Sequence, residues 1–191
     1  MRFSNTTKKV FSIAMSAIVL AGAVAVPAPQ KAEAASKYKA ALCMQTDNFY
    51  CRDVLSNKNT CKGIKLKTGK KLAGTSASDK TFKKKGKFKY TVSLNGFKKV
   101  KKAKSFNFVS VNTTIPGSMK KKISGVKLVV KVDGKTVKTI KNPAMEPQGA
   151  KTTGQVSFLV CNKWNGEAQA KFKSIKMPKK SMSITVTGKI K

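Results

Sequence analysis

Residues 87–94 read Lys-Phe-Lys-Tyr-Thr-Val-Ser-Leu. Successive side chains of an extended chain point to opposite faces. Phe88, Tyr90, Val92 and Leu94 therefore share one side, and Lys87, Lys89, Thr91 and Ser93 share the other. Strict alternation of this kind describes a half-buried strand. It recurs downstream: Val126, Leu128, Val130 and Val132 alternate with Lys127 and Lys131, and Met182, Ile184, Val186 and Ile190 oppose Ser183, Thr185, Thr187 and Lys189.

Asn95-Gly96 and Asp133-Gly134 follow two of these runs. Both are two-residue turn sequences of the hairpin type, so each is expected to lead into an antiparallel partner, the second over 135–141. The segments 105–111, 155–161 and 169–175 are short, rich in aromatic or β-branched residues and bounded by Gly, Pro or Asn, and they read as further strands. One departure is expected over 47–56, where Asp47 caps a short helix with Tyr50, Val54 and Leu55 on one face. The chain is thus expected to be all-β: an antiparallel sandwich, or a barrel, of six or more strands with a stapled N-terminal segment.

The N-terminus reads as an export signal. Arg2, Lys8 and Lys9 precede an apolar run over 10–26, and Ala32-Glu33-Ala34 is a small-x-small cleavage site. Residues 1–34 are expected to be removed, leaving 35–191 as one secreted domain.

Four cysteines, Cys43, Cys51, Cys61 and Cys161, then suggest two disulfides. Three pairings are open. The one chosen joins Cys51 to Cys61 and Cys43 to Cys161.

The chain carries 41 basic and 7 acidic side chains, a formal net charge of +34. Outside the leader, Arg52 is the one arginine. Lysine is a hydrated point charge rather than a planar fork, which favours diffuse attraction to polyanions. The runs Lys83-Lys84-Lys85, Lys98-Lys99, Lys101-Lys102 and Lys120-Lys121-Lys122 are candidate contacts. Lysine also guards sheet edges against pairing with other chains, and that plainer use accounts for part of the charge.

Catalysis is not expected. The chain has no histidine, which closes Ser-His-Asp, Cys-His and histidine-bound metal schemes. Beyond the leader the carboxylates are Asp47, Asp53, Asp79, Asp133, Glu146 and Glu167. Asp133 is explained by its turn, and no two of the others form a recognisable pair. No cofactor and no metal are implied.

Two binding readings follow. The preferred one is an inhibitor of extracellular serine proteases, presenting a disulfide-framed loop whose ordering entropy is already lost. Met44, Tyr50, Arg52 and Lys58 are its candidate contacts, with Arg52 suited to a trypsin-like pocket. Around Cys43-Met44 and 51–61, the layout loosely resembles small secreted bacterial inhibitors of subtilisin-like enzymes.

The alternative is a cationic protein that binds anionic envelope polymers such as teichoic acid, anionic lipid or released nucleic acid, and is held electrostatically at the cell wall. An antimicrobial role would follow from it. Specific DNA recognition is not expected. Phe82, Phe88, Tyr90 and Phe97 interleave with lysines as stacking surfaces do, but core positions explain them better.

Overall fold

The computed structural model describes residues 37–51, 61–100, 105–148, 154–163 and 175–191. The period-two runs form strands, and the strands build two antiparallel sheets. In chain order they are β1 Lys37–Gln45, β2 Phe49–Tyr50, β3 Lys65–Leu66, β4 Ser76–Ser78, β5 Lys80–Lys83, β6 Gly86–Asn95, β7 Phe108–Pro116, β8 Ile123–Val132, β9 Lys135–Lys141, β10 Met145–Gln148, β11 Gln155–Asn162 and β12 Ser181–Ile190. Two 3-10 turns, Phe97–Lys99 and Gly117–Lys122, complete the described structure.

The first sheet runs β10-β11-β7-β1-β2-β3, with β5 also paired to β1, and the second runs β4-β6-β12-β8-β9. The chain passes repeatedly between them, and β12 inserts between β6 and β8. Apolar side chains of both sheets meet in one core. Phe88, Tyr90, Val92 and Leu94 of β6 and Met182, Ile184, Val186 and Ile190 of β12 are all buried there, as their alternation predicts.

The expected Asp133-Gly134 hairpin joins β8 to β9, with Val132 opposite Lys135. Both turn residues have positive φ, 50° and 84°, the type I′ geometry that matches strand twist. The Asp133 carboxylate accepts the backbone N–H groups of Lys179, Lys180 and Ser181 at 2.8, 2.7 and 2.9 Å. This clamps the hairpin onto the start of β12. The N–H groups of Ser181, then Lys179 and Lys180, hold the Asp133 carboxyl below its ordinary pKa.

A depressed folded-state pKa gives stability that is present above the unfolded value and lost as pH falls through the folded one. Asp133→Asn keeps one acceptor oxygen and loses the charge. It is expected to melt several degrees below the parent at neutral pH and to converge with it in acid, below the range where Asp133 titrates. Paired thermal melts across that range would check this.

Asn95-Gly96 does not make a hairpin. Gly96, at φ 94°, instead opens the first 3-10 turn, and the chain crosses to β7 in the other sheet. The N–H groups of Gly96 and Phe97 donate to the Lys180 carbonyl, at 3.0 and 3.2 Å. The end of β6 is thereby tied to the start of β12 rather than to the strand that follows it.

The helix expected from Asp47 does not start there. The Thr46 hydroxyl accepts the N–H groups of Asn48 and Phe49, both at 3.1 Å, and this bend turns β1 back into β2, with Gln45 opposite Tyr50. Asp47 accepts from Asn107 Nδ2 at 2.6 Å and lies 3.6 Å from Lys163 Nζ. Residues 52–60 fall outside the described residues. So does most of the expected strand over 169–175, of which Ile175 is described and buried.

Cys51 and Cys61 are joined, their Cα atoms 5.8 Å apart. Cys43 and Cys161 are not joined to each other. Cys43 stands opposite Ser110 of β7, and Cys161 stands on the far side of β7 opposite Val109. Two strand spacings separate them, roughly 9–10 Å, beyond the about 7 Å a disulfide spans.

Their faces differ as well. A bulge between Leu159 and Cys161 turns Cys161 into the core between the sheets, while Cys43 packs with Phe108 and Leu159 on the other face. Burial pushes the Cys161 thiol up to about 11, partly offset by the charge of Lys138 on β9.

Candidate functional site

Strand pairing turns scattered lysines into an ordered array. Phe88 and Val186 point into the core, so Lys87, Lys89, Thr187 and Lys189 point outward from the second sheet. Lys87 lies directly opposite Lys189. Thr187 is flanked by Lys89 on one side and Lys127 on the other, and Lys127 lies opposite Lys141. On the first sheet Lys37 faces Lys83.

These pairs cluster at the end of the sandwich where β6 and β8 begin and β12 and β9 end. The Lys83-Lys84-Lys85 turn and the Gly117–Lys122 turn lie at the same end, the latter tied down by the Lys191 N–H donating to the Lys122 carbonyl at 2.9 Å.

Like charges directly opposite on adjacent strands are destabilising. Among the described residues no Asp or Glu side chain is placed beside them; Glu146 lies on β10, opposite Ser157. Asp133 is in the turn at the far end of β8, Asp47 follows the far end of β1, and Asp79 accepts the N–H of the disulfide residue Cys61 at 2.9 Å. The two ends of the sandwich therefore differ. One mixes lysines with acids and carries the disulfide; the other, called the lysine pole below, is basic.

The pole contains a shallow depression of about 570 Å³, lined by Lys87, Phe88, Lys89, Thr187, Lys189 and Ser124 with backbone from Gly125 and Gly188. It lies where the pairing of β12 with β8 slips between Thr187 and Lys189. Gly125 has φ +60° and open space where a side chain would stand.

Gly188 is constrained from the opposite side. A Cβ there would lie 2.5 Å from Cζ of Phe88, whose ring packs among Phe82, Tyr90 and Phe158 at centroid distances of 5.3, 5.9 and 6.5 Å. That ring has little room to retreat. Gly188→Ala is expected to cost about 1–3 kcal/mol by overpacking, measurable by urea or thermal unfolding.

An aromatic bed thus supports the pole from inside. Phe82 and Tyr90 stack at 4.5 Å, and Tyr38 packs on Phe82 at 5.8 Å. Lys84 Nζ sits 5.8 Å over the Tyr38 ring, a cation–π contact. The Tyr90 hydroxyl is buried with no hydrogen-bond partner among the described residues, and desolvation pushes its pKa up.

Of the lysines singled out in the sequence, Lys83, Lys84, Lys85, Lys120, Lys121 and Lys122 come together at this pole. Lys98 and Lys99 lie in the Phe97–Lys99 turn at the opposite end, and Lys101 and Lys102 are outside the described residues. The paired lysines of the sheets, Lys37, Lys87, Lys89, Lys127, Lys141 and Lys189, lie outside those runs, because strand register and not local sequence brings them together.

Of the candidate inhibitory residues, Met44 is fully buried in the core and presents nothing to a protease. Tyr50 is half-buried in β2, opposite both Gln45 and Lys65. Arg52 and Lys58 lie outside the described residues. Phe82, Phe88, Tyr90 and Phe97 are buried, as core residues rather than as a stacking surface.

Comparison of the chain with protein-family models, with curated proteins and with solved structures finds no match.

Proposed function

We propose that this protein is a non-catalytic, exported binder of anionic polymers, which it engages through the lysine pole. The observation that carries the reading is the gathering at one end of three lysine pairs placed directly opposite one another, Lys37 with Lys83, Lys87 with Lys189 and Lys127 with Lys141; a fourth opposed pair, Lys65 with Lys71, stands apart at the disulfide end. A surface selected for stability or solubility alone would intersperse acids among them. A bound polyanion would relieve the repulsion and release its own counterions.

Purified protein titrated with isolated cell walls or a soluble polyanion tests this. The logarithm of the binding constant is expected to fall linearly with the logarithm of salt, with a slope of roughly −4 if six phosphates are neutralised. Binding that is absent, or insensitive to salt, would overturn it.

Protease inhibition remains a second reading because the Cys51–Cys61 bond closes the loop that carries Arg52 and Lys58. Met44, buried in the core, drops out of it, leaving half-buried Tyr50 together with Arg52 and Lys58. Stoichiometric inhibition of a trypsin-like enzyme that is lost in Arg52→Ala would support it, and no inhibition of trypsin-, chymotrypsin- or subtilisin-like enzymes would end it.

A further inference from the structure

We infer that the lysine pole accepts a phosphodiester polymer without bases, and that the depression bounded by Lys87, Lys89, Lys189, Thr187 and Ser124 seats one of its phosphates. The inference rests on the polyanion reading and narrows it.

The donors come first. Each ammonium offers three N–H groups and each hydroxyl one O–H, and the residues that carry them, Lys87, Lys89, Lys189, Thr187 and Ser124, line the depression from β6, β12 and β8. Donors distributed around a concavity suit a tetrahedral group with several acceptor oxygens. The guanidinium fork, which matches carboxylate and phosphate alike, is absent among the described residues, and lysine binds phosphate as a point charge that needs no planar, two-point geometry. Gly125 leaves the backbone uncovered beside Ser124, so an anion can approach closely.

The array also continues beyond one phosphate. Lys89, Thr187, Lys127 and Lys141 form a row across four adjacent strands, roughly 14 Å at the ordinary strand spacing. A single small anion would leave most of that row unneutralised. A chain of phosphates would not.

Bases, in contrast, find nothing to rest on. Single-stranded nucleic acids gain about 1–3 kcal/mol per base from exposed aromatic faces. The aromatics of this pole are buried: Phe82, Phe88 and Tyr90 are each 6% exposed and Tyr38 is 9% exposed, its ring covered by Lys84, so that Phe88 at the wall of the depression offers no open face for a base. The outer surface above them carries lysine, serine and threonine, and the one large exposed hydrophobic among the described residues is Val137 on the edge strand β9.

The test uses the intact protein with three probes of matched charge: poly(glycerol phosphate), oligodeoxythymidylate and polyglutamate. Two triple variants are compared with the parent, K87Q/K89Q/K189Q at the pole and K98Q/K99Q/K180Q at the opposite end. The parent is expected to bind poly(glycerol phosphate) at least as tightly as the oligonucleotide, and at least about tenfold more tightly than polyglutamate.

The pole variant should lose about tenfold or more in affinity for poly(glycerol phosphate). Its salt slope should flatten by about 2, from three contacts at roughly 0.7 each, while the opposite-end variant stays near the parent. Because the pole variant removes the Lys87–Lys189 like-charge pair and a third neighbouring charge, its melting temperature should equal or exceed the parent's, which separates lost binding from lost folding.

Equal losses in the two variants, polyglutamate binding as tight as poly(glycerol phosphate), or a marked preference for the oligonucleotide would each overturn the inference while leaving polyanion binding intact. Failure of all three probes to bind would overturn both.

Discussion

Replacing Phe158 by alanine is expected to cost about 3–5 kcal/mol, the usual loss for a fully buried phenylalanine. Phe158 is 0% exposed and projects from β11 between Met145 of β10 and Val111 of β7. Its ring stacks on Phe88 at 6.5 Å with the planes 25° apart, so it joins the first sheet to the second beneath the lysine pole.

The loss combines the transfer energy of the ring with the cavity left behind. The neighbours are strand-bound and can close over that cavity only in part. For a chain of this size the melting temperature should fall by roughly 6–20 °C. Domains are typically stable by only about 5–15 kcal/mol, and a protein that must also contain its own positive charge has little margin. Phe158→Leu should recover much of the loss. A cost below about 1 kcal/mol for the alanine variant would mean that the sheets do not depend on this contact.

The strands that announce themselves in the sequence are those with one wet face. β6, β8 and β12 bury one side and solvate the other, so apolar and polar residues alternate along them. β1 carries the sequence Lys-Tyr-Lys-Ala-Ala-Leu-Cys-Met-Gln and gives no such signal. Ala41 and Cys43 are as fully buried as Ala40, Leu42 and Met44, and a strand covered on both faces loses its alternation. It is nevertheless central, with β7 on one edge and β5 and β2 on the other.

The same limit explains the cysteines. The bulge before Cys161 moves that side chain to the other face of the sheet, and a period-two reading has no means of placing a bulge. The Asn95-Gly96 turn fails for a different reason: the glycine's positive φ is used, but to start a 3-10 turn on the way to another sheet.

The candidate site was legible only in outline. Lysine runs are visible in the sequence, and the runs at 83–85 and 120–122 do meet. The pairs that make the pole unusual join residues such as Lys87 and Lys189, a hundred positions apart. Their opposition depends on β12 inserting between β6 and β8 in a particular register. Nothing local in either segment specifies that neighbour.

Removing the Cys51–Cys61 bond, by Cys51→Ser with Cys61→Ser, is expected to cost about 3 kcal/mol through the freedom returned to the unfolded chain by a loop of sequence separation 10. At roughly 2–4 °C per kcal/mol this is a fall of about 6–12 °C in melting temperature. A reductant should reproduce the shift in the parent and produce little in the double variant.

The consequence for function is sharper than the consequence for stability. The disulfide follows β2 at the end of the sandwich opposite the lysine pole, and the strands that order Lys87, Lys127, Lys141 and Lys189 are held by their own pairing and by the Asp133 clamp. Below its melting temperature the double variant should therefore bind anionic polymers with the parent's affinity and salt slope. A protease-inhibiting loop would lose its frame and, with it, its resistance to cleavage. Loss of polymer binding in the folded double variant would show that the two ends are coupled, and a function assigned to the pole alone would then have to be abandoned.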